Sequence, residues 1–139
     1  MTDVEGLPAS AIELYEAAVD ALRRSYSPYS HYPVGAAVRT ASGRVFAGCN
    51  VENASFPLGS CAEAGAIAAM ALAGEREIVE VVTVTGGPEP GTPCGGCRQR
   101  LREFAAPMVP VHATTIDGRV LTSTIEDLLP RSFGPEHLT

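Results

Sequence analysis

Residues 78–104 of this chain read IVEVVTVTGGPEPGTPCGGCRQRLREF. The first eight residues of this segment include four valines and an isoleucine, a composition typical of a buried strand. The next eight hold three glycines and three prolines and predict a loop. Proline is favoured where a helix starts, so Pro93 indicates a helix that begins at Cys94. The segment therefore predicts a strand, a loop and a helix whose first turn carries two cysteines.

Hydrophobic periodicity and turn residues indicate the elements that precede this segment. Apolar side chains at near-helical spacing predict an amphipathic helix over residues 8–25. Residues 34–40 and 44–51 are strand-like and flank a short turn ending in Gly43, which is typical of a hairpin. The alanine-rich residues 61–73 predict a second helix, with Gly74 as its stop.

A second hairpin and a short helix are predicted after the segment. Strand-like residues 109–116 and 119–124 bracket the turn Asp117-Gly118. Thr124 is available as the cap of a short helix over residues 125–129. The predicted order is αββαβαββα, which implies a largely β layer with helices packed on it.

Length and composition indicate one ordered domain over residues 1–139. Hydrophobic residues make up 45% of the chain and charged residues 19%, which argues against extensive disorder. No apolar run reaches the roughly 18–20 residues that span a bilayer, and the acidic start of the chain does not resemble a secretion signal. We therefore expect a cytoplasmic protein without a membrane partner.

The charge balance argues against a nucleic-acid polymer as the ligand. The formal net charge is −6, and all ten basic residues are arginines. Proteins that bind nucleic acids usually present a basic face, which this chain lacks the cations to build. Its densest group of arginines, at positions 98, 100 and 102, is typical of an ordinary helix surface. If the ligand is a base or a nucleoside, we therefore expect a small uncharged molecule rather than a polymer.

Three cysteines stand at predicted helix starts. Cys94 and Cys97 are three residues apart, which places both sulfurs on one face of the first turn, and Cys61 opens the alanine-rich helix. Free backbone N–H groups and the positive end of the helix dipole favour thiolate over thiol. Three thiolates brought together form a soft tetrahedral site that suits Zn²⁺ and leaves a fourth position open, as in catalytic zinc centres.

Glu63 follows Cys61 by two residues and is the candidate proton carrier. Zinc lowers the pKa of a coordinated water to about 7, and a carboxylate so near in sequence could accept its proton without binding the metal. The residues leave three other interpretations open: two disulfides, a redox pair at Cys94 and Cys97, or a closed four-cysteine zinc that includes Cys49. Cys49 lies within a predicted strand, where a cysteine is typically a small buried hydrophobe.

Several separated motifs resemble one family. Residues 61–63, Cys-Ala-Glu, followed by residues 93–99, Pro-Cys-Gly-Gly-Cys-Arg-Gln, are similar to the signature of the zinc nucleoside deaminases. Residues 27–37, 48–53 and 128–134 also resemble the small homotetrameric cytidine deaminases, so the similarity extends over nearly the whole chain. The resemblance implies an α/β fold of three layers, with a mixed five-stranded sheet and helices on both faces.

The resemblance also implies the reaction and the residues that carry it out. The reaction is zinc-dependent hydrolytic deamination of cytidine and 2′-deoxycytidine to uridine and 2′-deoxyuridine, a step of pyrimidine salvage. Cys61, Cys94 and Cys97 are expected to bind Zn²⁺, and Glu63 to move protons. The enzyme is expected to be a homotetramer with shared active sites.

Substrate contacts follow from the same resemblance. Asn50 and Glu52 are expected to hydrogen-bond the ribose hydroxyl groups, and the backbone of Ala62 to face the base. Tyr32 replaces a phenylalanine that packs on the pyrimidine in many relatives. Phe133 resembles a C-terminal aromatic residue that reaches the pocket of a neighbouring subunit.

One departure from the family concerns charge near the metal. Ala64 stands where many relatives carry an arginine directly after the catalytic glutamate. Three thiolates on Zn²⁺ leave an excess negative charge, and a nearby arginine reduces electron donation to the metal. With alanine at position 64, Arg98 is expected to be the residue that neutralises this charge.

Other functions remain as alternatives at this point. A blasticidin-type nucleoside antibiotic deaminase shares the zinc core, although Asn50 and Glu52 favour a ribose ligand. A polynucleotide-editing deaminase would need a basic groove, and a structural zinc module would have a closed four-cysteine site. His31, His112 and His137 lack cysteine or carboxylate neighbours at ligand-like spacing and are expected not to bind metal.

Overall fold

The computed structural model describes residues 4–139, in which five strands form one mixed sheet. The strands are β1 (Val34–Thr40), β2 (Val45–Cys49), β3 (Ile78–Thr85), β4 (Pro110–Thr115) and β5 (Val120–Thr124). Their spatial order is β2-β1-β3-β4-β5. β3 and β4 are parallel, and the other neighbouring strands are antiparallel. Both predicted hairpins are therefore present.

Residues 4–139 also form four α-helices, which precede, connect or follow the strands in the predicted order. They are α1 (Ala9–Leu22), α2 (Ala62–Leu72), α3 (Gly95–Phe104) and α4 (Ile125–Leu128). Thr124 caps α4 as expected: its hydroxyl accepts from the Asp127 backbone N–H, and the Asp127 carboxylate accepts from the Thr124 N–H. Two short 3₁₀ segments, Phe56–Leu58 and Pro135–Leu138, were not predicted.

The sheet has a separate apolar core on each face. Successive side chains of a strand point to opposite faces, so Ala37 and Val38 of β1 belong to different cores. Ala37 packs with the apolar stripe of α1, whereas Val38 packs with Met70 of α2 and Leu101 of α3. The three-layer α/β architecture with helices on both faces is confirmed.

Close contact between β2 and α2 fixes the position of the start of α2. A Cβ atom at Gly48 would lie 2.4 Å from the backbone nitrogen of Ala66 and 2.5 Å from the carbonyl oxygen of Ala62. No other residue type fits there without moving α2. The absence of a side chain at Gly48 therefore sets how closely the residues around Cys61 approach the sheet.

The parallel pair β3 and β4 places the segment that carries Cys94 and Cys97 at the carboxyl end of β3. α3 connects the two strands, and the loop over residues 86–93 leads from the carboxyl end of β3 into α3. Ligands of α/β proteins commonly bind outside the carboxyl ends of parallel strands. The cysteines of α3 lie directly after this loop.

A buried hydrogen-bonded pair of side chains lies on the face of the sheet that α1 covers. His112 Nε2 is 3.0 Å from the Glu80 carboxylate, and His112 Nδ1 is 2.8 Å from the hydroxyl of Thr122. The Glu80 carboxylate also accepts from the hydroxyl of Ser10. This network satisfies two buried titratable side chains within the fold.

Within residues 4–139, none of the helices is long and apolar enough to pass through a lipid bilayer.

Candidate active site

Three cysteine sulfurs form a cluster that fits a zinc ion. The Sγ atoms of Cys61, Cys94 and Cys97 lie within 4.8 Å of one another, and those of Cys61 and Cys94 are 3.9 Å apart. Tetrahedral zinc with bonds of about 2.3 Å to sulfur places its ligand sulfurs about 3.8 Å apart. The spacing of the thiols therefore matches a zinc centre with three protein ligands.

Helix starts position these sulfurs, as the sequence indicated. Cys61 is the residue that precedes α2, Cys94 precedes α3, and Cys97 lies in the first turn of α3. Burial raises the pKa of the Cys61 and Cys97 thiols. Burial acts in the same sense on Cys94, but hydrogen bonds from the backbone N–H of Cys97 and from the neighbouring thiols bring its pKa below the ordinary value. A divalent cation would hold all three as thiolates.

The other interpretations of the cysteines do not fit this geometry. All four cysteines are free thiols, so the two disulfides are absent, and a redox pair of Cys94 and Cys97 does not need Cys61 in the same cluster. Cys49 lies outside the cluster, and its thiol donates to the backbone carbonyl of Arg24 at 3.6 Å. The cluster therefore leaves one coordination position of a tetrahedral zinc without a protein ligand.

Glu63 lies in the first turn of α2, beside the sulfurs. The residue is only 5% exposed, and burial raises the pKa of its carboxyl group above the ordinary value. Hydrogen bonds from its own backbone N–H and from Cys97, and the charge of Arg100, act in the opposite direction but do not outweigh burial. A carboxyl group with a raised pKa is suited to accept and release a proton near neutral pH.

The arginines of α3 have different partners from those the sequence suggested. Arg98 donates to the carbonyl oxygens of Pro93 at 2.7 Å and Leu128 at 2.8 Å. Arg100 Nη1, in contrast, lies 3.6 Å from Cys97 Sγ. Arg98 thus stabilises the backbone just before Cys94, and its expected effect on the charge of the metal centre stays a prediction.

A pocket of about 350 Å³ opens next to the three sulfurs. Its lining includes Cys61, Ala62, Glu63 and Cys94 together with the predicted sugar-binding residues Asn50 and Glu52. The buried hydroxyl of Thr83, which has no hydrogen-bond partner within the described residues, also belongs to the lining. A larger groove of about 730 Å³ elsewhere on the surface is lined by residues such as Arg102 and Phe104 and contains no cysteine.

Asn50 follows β2, and hydrogen bonds fix its amide in the pocket wall. Its Oδ1 accepts from the hydroxyl of Ser25 and from the backbone N–H of Val34 at 2.9 Å. Its Nδ2 donates to the backbone carbonyl of Tyr32, also at 2.9 Å. The orientation of the amide is therefore set by the protein before a ligand binds.

The loop that precedes β1 contacts the carboxylate of Glu52. This carboxylate accepts from the backbone N–H groups of Tyr29 at 2.9 Å and Ser30 at 3.1 Å, and from the Ser30 hydroxyl. These hydrogen bonds, led by that of the hydroxyl, hold the pKa of Glu52 below its ordinary value. Glu52 therefore stays ionised at neutral pH and can accept hydrogen bonds from a ligand.

The two predicted aromatic residues lie in different places. Tyr32 lines the pocket, and Gly91 leaves the room for it, because a Cβ atom at Gly91 would lie 2.7 Å from the Tyr32 hydroxyl. Phe133 is 57% exposed, lies outside this pocket and stacks on the ring of His137 with the ring centres 5.3 Å apart. Gln99 of α3 donates to its carbonyl oxygen at 2.9 Å.

Sequence analysis did not identify several residues of the site. Ser25 and Ser30 hold the two polar residues of the pocket, Thr83 lies in its wall, and Arg100 contacts a cluster sulfur. Ser25 precedes a loop with two prolines and Ser30 lies within it. Serines are common in such loops because their hydroxyl groups hydrogen-bond the turn backbone, so their presence does not indicate a site. Thr83 could have been identified from the sequence, because a hydroxyl group in a valine-rich buried strand either needs a hydrogen-bond partner or faces a site.

The fold and this site together define a class of protein: a zinc-dependent hydrolytic deaminase with a three-cysteine metal centre and a buried glutamate. Residues 9–113 match the family model for the cytidine and deoxycytidylate deaminase zinc-binding region. The chain belongs to this family, and its cofactor is Zn²⁺.

Relatives and solved structures agree with that assignment. The chain is 36% identical to the cytidine deaminase of Sporosarcina psychrophila over 99% of its own length and 96% of the relative. It is 38% identical to that of Mycobacterium tuberculosis over 87% of each chain. The crystal structure of cytidine deaminase from Burkholderia pseudomallei superposes with a TM-score of 0.83 at 41% identity, covering 91% of this chain and 100% of that one.

Proposed function

We propose that this enzyme deaminates the free nucleosides cytidine and 2′-deoxycytidine to uridine and 2′-deoxyuridine, with water as the co-substrate and ammonia as the second product. One observation carries the proposal. One pocket of about 350 Å³ is lined by two cysteines of the three-sulfur cluster, by a buried glutamate, and by a fixed amide and an ionised carboxylate. That volume suits a nucleoside and does not require a polymer.

Glu63 transfers the protons in this reaction. Zinc, when bound, lowers the pKa of a coordinated water to about 7 and so provides the nucleophile at neutral pH. The Glu63 carboxylate accepts the proton of the attacking water, delivers it to the ring nitrogen next to C4 and later assists the departure of the amine as ammonia. Burial around Glu63 raises its pKa, which makes it a stronger base for the first transfer.

The polar and aromatic residues that line the pocket orient the nucleoside. Asn50 and Glu52 offer an amide and a carboxylate to the ribose hydroxyl groups, and Tyr32 offers a ring to the flat base. The backbone of Ala62 faces the same space. These contacts place C4 of the base toward the three sulfurs and select a nucleoside over a free base.

A substrate panel tests the reaction. Purified enzyme with its zinc content measured is mixed with cytidine, 2′-deoxycytidine, cytosine or blasticidin S, and the ultraviolet change of each is recorded. We expect turnover of the two nucleosides and little of the free base. Turnover of blasticidin S alone would assign the antibiotic deaminase instead.

Glu52→Gln should weaken recognition of the sugar while leaving the chemistry intact. We expect kcat/KM for cytidine to fall about 10- to 100-fold, because hydrogen bonds to a charged acceptor are stronger than those to a neutral one. For 2′,3′-dideoxycytidine, which lacks the sugar hydroxyls in question, the same substitution should change kcat/KM much less. Equal losses for both nucleosides would show that Glu52 serves only to order the loop around Ser30.

The enzyme is proposed to act as a homotetramer in which Phe133 enters the pocket of a neighbouring subunit. This side chain is exposed and lies outside the pocket of its own chain. Phe56, which lines the pocket and is 74% exposed, and Leu58 of the same 3₁₀ segment, at 70% exposure, form a further apolar surface that a second copy would cover.

Phe133→Ala should raise the KM for cytidine about 5-fold or more, because packing of an aromatic ring on a base contributes about 1–3 kcal/mol. Sedimentation equilibrium of the wild-type enzyme should give the mass of four chains. Leu138→Ala, a truncation of another exposed side chain of the same tail, is the matched control and should leave KM unchanged. A fully active monomer would contradict the shared pocket.

Cellular role and location follow from this chemistry as proposals. Deamination of free pyrimidine nucleosides places the enzyme in pyrimidine salvage. Three thiols that must remain reduced to bind metal suit the cytoplasm, where disulfides are rare. The whole chain, residues 1–139, is proposed to act as one domain.

A further inference from the structure

Arg100 lies on α3 three residues after Cys97, and its guanidinium turns back toward the start of the helix. Nη1 of Arg100 is 3.6 Å from Cys97 Sγ, within hydrogen-bonding distance of a sulfur acceptor. Helical side chains lean toward the N-terminus, so a residue at this spacing reaches the preceding turn. Gly96 leaves the space that the guanidinium occupies, because a Cβ atom there would lie 3.3 Å from Nη1.

The neighbouring arginines of α3 are engaged elsewhere. Arg98 is bonded to two backbone carbonyls and to the hydroxyl of Thr92. Arg102 donates to the hydroxyl of Ser132 and to the carboxylate of Glu136 at 2.6 Å. The contact from α3 to a cluster sulfur is therefore made by Arg100.

A charge at this place matters for the metal. Three thiolates and one divalent cation leave an excess of one negative charge, and that charge is spread over sulfurs that include the fully buried Cys97. A guanidinium is ionised at all accessible pH values and stabilises the thiolate to which it donates. Groups that hydrogen-bond metal ligands typically alter metal affinity about 10- to 100-fold.

We propose that Arg100 is a positioning residue of the zinc centre, whose guanidinium contacts Cys97 Sγ and offsets the excess negative charge of the three-sulfur site. Ala64, beside the catalytic glutamate, offers no charge for this purpose, so the compensating cation comes from the second cysteine-bearing helix. The inference rests on the zinc centre and is independent of which nucleoside the enzyme deaminates.

Zinc affinity tests the proposal directly. Wild type, Arg100→Gln and Arg100→Lys are each titrated with a chromophoric zinc chelator, and the apparent dissociation constant for zinc is determined. We expect Arg100→Gln to bind zinc about 10- to 100-fold more weakly. Arg100→Lys keeps the positive charge but lacks the planar guanidinium group. Its zinc affinity should be closer to that of the wild type than the affinity of Arg100→Gln.

Arg24→Gln is the matched control. It removes the same charge from an arginine whose side chain is 77% exposed and pairs with Asp20 at the end of α1. This variant should bind zinc as the wild type does. Three results would each overturn the proposal: unchanged zinc affinity in Arg100→Gln, an equal loss in Arg100→Lys, or an equal loss in Arg24→Gln. Because the readout is metal affinity, failure of the proposed nucleoside specificity would not affect it.

Discussion

Glu63→Gln is expected to lower kcat for cytidine by about 10²- to 10⁴-fold, the range that general acid–base catalysis contributes. Glutamine has nearly the same shape as glutamate, so the packing of this 5% exposed residue should be preserved. Its amide, however, cannot take a proton from water and pass it to the ring nitrogen. KM should change much less than kcat, since the loss falls on the transition state.

Zinc content separates this loss of proton transfer from loss of the metal. Glu63→Gln and the shorter Glu63→Ala should both retain zinc, because the sulfurs that hold it are untouched. Glu103→Gln, which removes an exposed carboxylate from α3, is the control and should keep wild-type kcat. Near-normal turnover by a zinc-loaded Glu63→Ala enzyme would remove Glu63 from the mechanism.

Cys97→Ser should abolish stable zinc binding and, with it, activity. The residue is fully buried and belongs to the cluster, so a weaker oxygen ligand replaces a thiolate at a place that cannot rearrange easily. Loss of even an outer partner of a metal ligand costs about 10- to 100-fold in affinity, so loss of the ligand itself should cost more than about 100-fold. Metal analysis after dialysis against a chelator measures the effect.

Cys49→Ser provides the comparison for that experiment. The substitution is chemically identical, but Cys49 lies outside the cluster and its thiol contacts only a backbone carbonyl that a serine hydroxyl can also use. This variant should bind zinc with wild-type stoichiometry. If Cys49→Ser lost zinc while Cys97→Ser kept it, the assignment of the ligands would be wrong.

Local patterns predicted most of the fold. The valine-rich composition of β3, the turn glycines and the capping residue Thr124 depend on neighbours within a few positions, and each agrees with the structure. The start of α3 at the end of a proline-rich loop was likewise apparent from Pro93. The packing of α2 against β2 through Gly48 was not, because it depends on residues that meet only after both elements form.

The site was predictable in its chemistry but not in its supporting contacts. Residue type and spacing indicated the three cysteines and Glu63, because zinc binding needs thiolates that can meet and proton transfer needs a titratable group near them. The sequence named Arg98 and gave no sign of the contact of Arg100 with Cys97, because that contact depends on the direction of a side chain on the same helix. The contact of Ser25 with Asn50 links residues 25 positions apart, and periodicity carries no information at that distance.

Placing the sulfurs at the starts of two different helices makes the metal a crosslink across 33 residues of sequence. A denatured chain cannot hold Cys61 beside Cys94, so free zinc favours the native state by mass action. The unfolding temperature of this protein should therefore rise with the concentration of free zinc. One zinc ion therefore contributes to both the thermal stability and the catalytic activity of the protein.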